Sequence, residues 1–463
     1  MTAKDLDQPI TPDAREWIGK ELGGSVIGLK RSVARREAYT AEIEHEDGSR
    51  TQAFIRIDRA ALKGEPGSRS LKREAELIRH LCAKTEIPTQ KILGWSDEYQ
   101  IAIQSMEPGR ADLCHTSREE QHAVMSEFMD IMAKMHMVDI DAIDVAGFDV
   151  PPTAEAHSLQ ELESVEGLID PRLSPDSSTI LGTFGRRWLR NHVPTSVERT
   201  VLVQGDTGAG NFLFEDGRVT AVVDWEWAHL GDPMEDLGNV WMRDIMNPSC
   251  SGDLTPYFQE YARTTGFTLN RSTLIYYLVH QLVRSVIAIP SLVRGPSWRS
   301  PVAMNVGYQG ICDLLCCQAI GLQYDLDDVE SEPLGIAENQ EAGELYRVVA
   351  NQLEQGLEPR LDDDFDRSTA TGAAELTRYL ERRHTDGPRA DAMELAGINA
   401  LLGESHRGLA AARAALNEEM RGLSRDSEPE ALKHCWSVAK RNMELMEPLV
   451  DRWSFCRIAK VDL

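Results

Sequence analysis

The order of apolar and polar positions divides the 463-residue chain into three stretches: a mixed first hundred residues, a helical middle broken by one strand-rich island, and a helical end. Residues 13–23 carry the spacing of a short helix, with Pro12 near its start and Gly23-Gly24 at its end. AYTAEIEHEDGSRTQAFIRID then predicts two strands. Ala41, Ile43, Phe54, Ile55 and Ile57 supply the apolar positions and Asp47-Gly48 the turn. After a loop containing Gly and Pro, SLKREAELIRHLCAK puts Leu71, Ala75, Ile78 and Leu81 at helical spacing. YQIAIQSMEPG reads as another strand, ending at Pro108-Gly109.

From about residue 117 the pattern turns helical. Ser117 followed by Glu120 has the form of a capping box. Met125, Phe128, Met129, Met132 and Met135 form a stripe that reads as core, because Met fills irregular interiors. The island is VLVQGDTGAGNFLFEDGRVTAVVDWEWAHLGDPMEDL, residues 201–237. VLV is a short buried strand, and NFLF and RVTAVVDW are strands joined at Asp216-Gly217. Helices follow, one of them over 273–289 and broken by Pro290. Ser331–Gly335, with Pro333, marks a linker. Beyond about 338 five helical patterns follow one another with almost no strand signal, which predicts a separate all-α module.

Composition narrows the function classes. Hydrophobic residues make up 42% and charged residues 27%, as in an ordinary soluble globular protein. Asp and Glu outnumber Lys and Arg by 75 to 49, a net charge of −26. Residues 338–463 hold 17 basic and 24 acidic residues, so the acid is not gathered in a tail. That balance argues against a nucleic-acid binder and against docking on anionic lipid. The eight cysteines show no CxxC and no zinc spacing, and Cys312, Cys316 and Cys317 read as core. No run of 18 apolar residues occurs and the N-terminus lacks a signal pattern, so a cytoplasmic protein is expected.

The chemistry concentrates in the island. With Asp216 and Gly217 as loop residues, paired positions sum to 433, so Asn211 faces Val222 and Asp224 lies two residues further on. Diagonal neighbours lie within roughly 7–8 Å, so the two side chains can converge. Asp206 sits five residues before Asn211, in a loop that Gly205, Gly208 and Gly210 allow to turn tightly. A carboxylate, an amide and a second carboxylate in that order suit phosphoryl transfer. Hard oxygens hold Mg²⁺ against nucleotide phosphates, and a further carboxylate takes the proton of the substrate hydroxyl.

Gln204-Gly205-Asp206 through Asn211 resembles the H-x-D-x-x-x-x-N motif of the aminoglycoside phosphotransferase-like kinase family. VVDWEWAHLGDPMEDL resembles that family's counterpart of the kinase DFG segment. The wording DWEWAHLGDP is closest to the branch associated with acyl-CoA dehydrogenases, and the resemblance covers about residues 20–330. It implies an α+β, two-lobed protein-kinase-like fold. The N-lobe (1–108) is an antiparallel sheet plus a helix, the C-lobe (109–332) is mostly helical, and an all-α accessory domain (338–463) is added. It implies Asp206 as catalytic base, Asn211 and Asp224 as Mg²⁺ ligands, and ATP or GTP as donor. Arg56 and Glu74 match the phosphate-contacting residue and its helix partner. Gln104, Met106 and Glu107 fall in the hinge beside the base of the nucleotide. Asp232 reads as a helix cap and Asp236 as an acceptor of backbone hydrogen bonds.

The chain departs from that pattern twice. Gln204 stands where the family usually has His, and Lys30 to Arg36 replaces a glycine-rich stretch, with Arg35 or Arg36 as candidate phosphate clamps. The resemblance ranks a hydroxyacyl-CoA first as acceptor, with Arg284, Arg294 and Arg299 as a candidate patch for CoA phosphates. An antibiotic or sugar-like hydroxyl is the second reading. A non-catalytic kinase-like regulator is the third, from a different class. The helical module is expected to pack on the kinase or on a second copy of the chain.

Overall fold

The computed structural model describes residues 10–32, 37–64, 70–168, 180–293, 300–337 and 340–463. The chain begins with α1 (Pro12–Glu21), β1 (Gly24–Ser32), β2 (Glu37–His45), β3 (Arg50–Ile57), α2 (Arg59–Leu62), α3 (Leu71–Lys84), β4 (Ile92–Ser96) and β5 (Ile101–Ser105). Then come α4 (Arg118–His136), α5 (Ala154–Leu168), α6 (Ile180–Asn191), β6 (Val201–Val203), β7 (Phe212–Glu215), β8 (Arg218–Val222) and β9 (His229–Gly231). The rest is helical: α7 (Pro233–Met246), α8 (Thr255–Thr265), α9 (Arg271–Val293), α10 (Val302–Gly321), α11 (Glu344–Asn351), α12 (Asp364–Thr385), α13 (Gly387–Leu402), α14 (Leu409–Arg421) and α15 (Glu428–Val450).

The contacts gather into two compact units. The first holds residues 1–157, 196–270 and 459–463, and the second holds 158–195 and 271–458. Neither the expected boundary at 108/109 nor the one near 335 is where the contacts divide.

In the first unit a five-stranded antiparallel sheet runs in the order β1-β2-β3-β5-β4. β1 precedes the two strands read from the alternation. The Asp47-Gly48 turn has the expected form, with Gly48 at φ 77° and its N–H donating to His45 O. One face buries Ala41, Ile43, Ile55, Ile57, Ile101 and Ile103 against Ala14 and Ile18 of α1. Thr11 caps α1 ahead of Pro12, and Ser70 caps α3. The Met stripe of α4 is buried, and Ser117 accepts the Glu120 N–H as its cap.

In the second unit Pro290 lies inside α9 and does not end it. Proline removes one backbone donor and leaves the carbonyl four residues earlier without its helical partner. Here that carbonyl, Val286 O, accepts from Gln309 Nε2 at 3.3 Å, so the helix continues. α9 is long and apolar enough to cross a membrane by composition, yet most of it is buried inside the protein. The 331–335 stretch is also tied down. Leu334 is buried with Ala390 and Leu445, and the N–H groups of Leu334 and Gly335 donate to Glu444 at 2.8 Å each. α15 and the short turn after it pack along α10, with large side chains over glycines. A Cβ at Gly321 would meet Trp436 at 2.8 Å, and one at Gly307 would meet Trp453 at 2.7 Å.

Candidate active site

The β7–β8 hairpin turns at Asp216 (φ 50°) and Gly217 (φ 76°), two left-handed residues whose twist suits a two-residue loop. The register departs from the simple count. Glu215 pairs with Arg218 and Phe214 with Val219, but Leu213 pairs with Ala221 and Phe212 with Val222. Thr220 is an extra bulged residue, and its hydroxyl donates to Pro108 O at 2.6 Å. Asn211 therefore lies opposite Val223, not Val222, and its carbonyl accepts the Val223 N–H at 2.9 Å. Asp224 follows at once, at φ 60° and ψ 60°, an uncommon backbone for a residue with a Cβ.

The loop 204–211 hangs on one buried carboxylate. Asp236, near the start of α7, accepts the N–H groups of Gln204 (2.9 Å) and Gly205 (3.0 Å) and the Thr207 hydroxyl. His136 Nε2 lies 3.0 Å from it, and the other ring nitrogen lies 2.6 Å from the Tyr261 hydroxyl. Burial alone would raise the Asp236 pKa, but His136, Thr207 and the backbone amides hold it below the usual value. Asp232 caps α7 by accepting the Met234 N–H, so both aspartates have the structural roles read from the sequence.

Gln204 is fully buried and bridges the two motifs. Its Oε1 accepts the Asp206 N–H, and its Nε2 donates to the Val223 and Asp224 carbonyls at 3.0 and 2.8 Å. Asp206 and Asn211 meet directly, with Asn211 Nδ2 2.7 Å from Asp206 Oδ2. Both also meet Arg243 of α7, which sequence reasoning missed. Nη1 donates to Asp206 Oδ1 at 2.8 Å and Nη2 to Asn211 Oδ1 at 3.2 Å. A signal was present, since Asp236, Val240 and Arg243 stand at i, i+4 and i+7 on a helix whose Asp236 already faces the loop.

On the sheet side Arg56 of β3 donates to Glu74 of α3 at 2.5 Å, as the matched pair implied. Its Nη2 lies 3.5 Å from Asp224 and 3.7 Å from Glu226, a carboxylate the sequence did not single out. Arg73, next to Glu74, donates to Ala228 O at 2.5 Å and so ties α3 to the segment after Asp224. Desolvation, then Glu226, push the Asp224 carboxyl up to about 7 against the pull of Arg56. Glu74 and Asp206 add to that push. The surplus of negative charge and the two oxygen donors Asn211 and Asp224 fit a hard divalent cation that takes its remaining ligands from phosphate and water. Among the described residues no group of three or more His, Cys, Asp or Glu could hold a metal by itself.

Gln104 is buried in β5 opposite Phe54, and its Nε2 has no hydrogen-bond partner among the described residues. Met106 is exposed, and Glu107 accepts from the Ser105 hydroxyl. Arg35, Arg36, Arg294 and Arg299 lie outside the described residues. Arg284 is no surface anion site. It is buried in the second unit, donates to Gln281 at 2.8 Å and lies 3.9 Å from Glu161.

Residues 38–272 match the model of the phosphotransferase enzyme family. Acyl-CoA dehydrogenase family member 10 of Mus musculus is 26% identical over 185 residues, 37% of this chain and 16% of that protein. Hygromycin-B 4-O-kinase of Escherichia coli is 30% identical over 89 residues, 19% of this chain and 25% of that protein. This chain thus spans only a minor part of the length of both relatives. A solved structure, a thermostable mutant of aminoglycoside phosphotransferase APH(4)-Ia with ADP and hygromycin B, aligns with a TM-score of 0.44 at 18% identity. That alignment covers 66% of this chain and 98% of the other. Arg56, Glu74, Gln104, Asp206, Asn211, Asp224 and Arg243 all fall inside the matched segment, which is just over half the chain, and the chain therefore belongs to the phosphotransferase enzyme family.

Proposed function

We propose that the chain transfers the γ-phosphate of ATP to a hydroxyl of a hydroxyacyl-CoA, with Asp206 as the base. The observation that carries the phosphoryl-transfer part is the convergence of Asp206 and Asn211 on one loop, tied through Gln204 to Asp224 and through Arg56 to Glu74. Mg²⁺, held by Asn211 and Asp224, would supply charge neutralisation at the phosphates. Asp206 Oδ2 accepts from Asn211 and Oδ1 from Arg243, which fixes the carboxylate plane. A carboxylate so held can orient an acceptor hydroxyl and take its proton. The unpartnered Gln104 amide offers a donor on the side where the nucleotide base would lie.

The acceptor class rests on the acyl-CoA dehydrogenase family relatives and on the DWEWAHLGDP wording. ADP release with a panel of hydroxyacyl-CoA thioesters tests it. Asp206→Asn should lower turnover by about 100- to 10,000-fold, the usual range for removal of a general base. Wild-type turnover in that variant would sink the assignment.

The match to hygromycin-B 4-O-kinase favours a second reading, an antibiotic acceptor. Resistance on expression, with no turnover of the thioesters, would select it. A non-catalytic role would draw on Gln204 and the glycine-poor loop, and the hydrogen bonds of Gln204 weaken that reading, because the amide holds the loop in place. Failure to bind Mg-ATP by calorimetry would bring it back.

A further inference from the structure

Arg243 is absent from every motif read in the sequence, yet it makes three hydrogen bonds to the loop. Its Nε donates to Ala209 O at 2.9 Å, its Nη1 to Asp206 Oδ1 at 2.8 Å and its Nη2 to Asn211 Oδ1 at 3.2 Å. One planar cation thus spans three acceptors within six residues of chain. The guanidinium group has the fork geometry for this, and an ammonium does not.

The loop glycines supply an independent observation. Gly208 has φ 136° and Gly210 has φ 96°, both outside the range that side-chain-bearing residues adopt readily. A Cβ on Gly208 would lie 3.0 Å from Arg243 Cβ, and a Cβ on Gly210 would lie 2.7 Å from Nη2. The sequence reads these glycines as allowing a tight turn, and in the structure they also make room for the Arg243 side chain. The stem lies against the loop as closely as backbone allows, so the loop and the arginine fix each other's shape.

We infer that Arg243 is a positioning residue for phosphoryl transfer: it locks the rotamers of Asp206 and Asn211 and sets the loop that carries them. The inference rests on the reading of Asp206 as base. Arg243 acts through Asp206 and Asn211, so its loss should lower the rate of the chemical step while nucleotide binding persists. A misplacement of about 1 Å at a reacting group costs on the order of 100-fold in rate. Arg243→Lys keeps the charge but can satisfy at most part of the fork.

The test compares wild type, Arg243→Met, Arg243→Lys and Asp206→Asn. Turnover is followed with whichever of hydroxyacyl-CoA or hygromycin B serves as acceptor, and as MgATP hydrolysis by water where neither does. Binding of Mg²⁺ with AMP-PNP is measured by calorimetry and folding by thermal melting. For Arg243→Met the expected result is a kcat about 100-fold lower, with KM for MgATP and the Kd of Mg²⁺–AMP-PNP within about threefold of wild type. Arg243→Lys should recover part of the rate. Wild-type kcat in Arg243→Met overturns the inference. So does a loss of rate matched by equal losses of nucleotide binding and melting temperature, the signature of a merely structural side chain. If Arg243→Met does not fold, Arg243→Lys decides, since full wild-type kcat there overturns the fork. An active Asp206→Asn would sink the base reading itself, whereas an inactive Asp206→Asn beside a fully active Arg243→Met would sink the positioning role alone.

Discussion

Gln204 stands where the family usually has histidine, and its amide makes three hydrogen bonds. Oε1 accepts from the Asp206 N–H, and Nε2 donates to the carbonyls of Val223 and Asp224. A neutral imidazole offers one donor and one acceptor, so glutamine widens the same job. The side chain is fully buried, so its removal strands polar groups away from water. Gln204→Ala should destabilise the protein by about 2–3 kcal/mol, the scale expected when buried donors and acceptors lose their partners. Denaturant unfolding measures it, and an unchanged midpoint would show that water replaces the amide. Asp206, Asn211 and Asp224 could be singled out in the sequence because their spacing is local, whereas Arg56 and Glu74 were reached only through the resemblance to the kinase family. Arg243 and Glu226 were reached by neither, because what gives them meaning is contact across elements.

At the level of elements, local pattern located most helices and strands and misjudged the points where two elements meet. The hairpin turn followed from Asp216-Gly217, but the bulge at Thr220 did not, since it is set by the bond to Pro108 O. Pro290 signals a break by its own chemistry, and α9 continues only because Gln309 of α10 satisfies the Val286 carbonyl. The α10–α15 contact is of the same kind. A Cβ on Gly321 would sit 2.8 Å from the Trp436 ring and 2.9 Å from the Leu326 carbonyl, one side of which is backbone and cannot yield. Gly321→Ala should therefore destabilise the second unit by about 1–3 kcal/mol through overpacking, despite the better helix propensity of alanine. Gly356→Ala is the control, because a Cβ there meets nothing within 4 Å. Equal melting temperatures for the two variants would refute the packing argument.

For the whole molecule, the covalent order and the packed units do not coincide. α6, α9 and α10 belong to the unit that holds α11 to α15. Glu428, fully buried at the start of α15, accepts from Asn191 at 2.6 Å, lies 2.7 Å from His192 Nε2, and accepts from Tyr324 at 2.5 Å. The last five residues belong to the first unit, where the Ala459 carbonyl accepts from Trp241 Nε1 at 2.9 Å. The second unit also carries a pH-sensitive carboxyl. Desolvation pushes the half-buried Asp313 of α10 up to about 7 from an ordinary 3.8, with Gln309 its opposing hydrogen bond. A carboxyl with a raised folded-state pKa favours folding while it stays protonated. Its contribution is complete below about pH 4 and is lost as pH rises through about 7. Asp313→Asn should remove that slope, so its melting temperature relative to wild type should rise between pH 4.5 and pH 8 by several degrees, about the shift that a few kcal/mol produces in a domain of this size. A constant difference across that range would exclude the linkage.

Local order along the chain was enough to define the class of the elements, the two-residue turn that builds the β7–β8 hairpin, and the residues that resemble a phosphoryl-transfer motif. These depend on neighbours a few positions apart, and periodicity and spacing record them. Long-range packing set the one-residue register shift at Asn211, the continuation of α9 through Pro290, the grouping of the helices into units, and the seat of Arg243 against Gly208 and Gly210. Each of those depends on a partner well beyond the reach of local periodicity, and a hydrogen bond or a close approach at that separation leaves no periodic trace in the order of the residues.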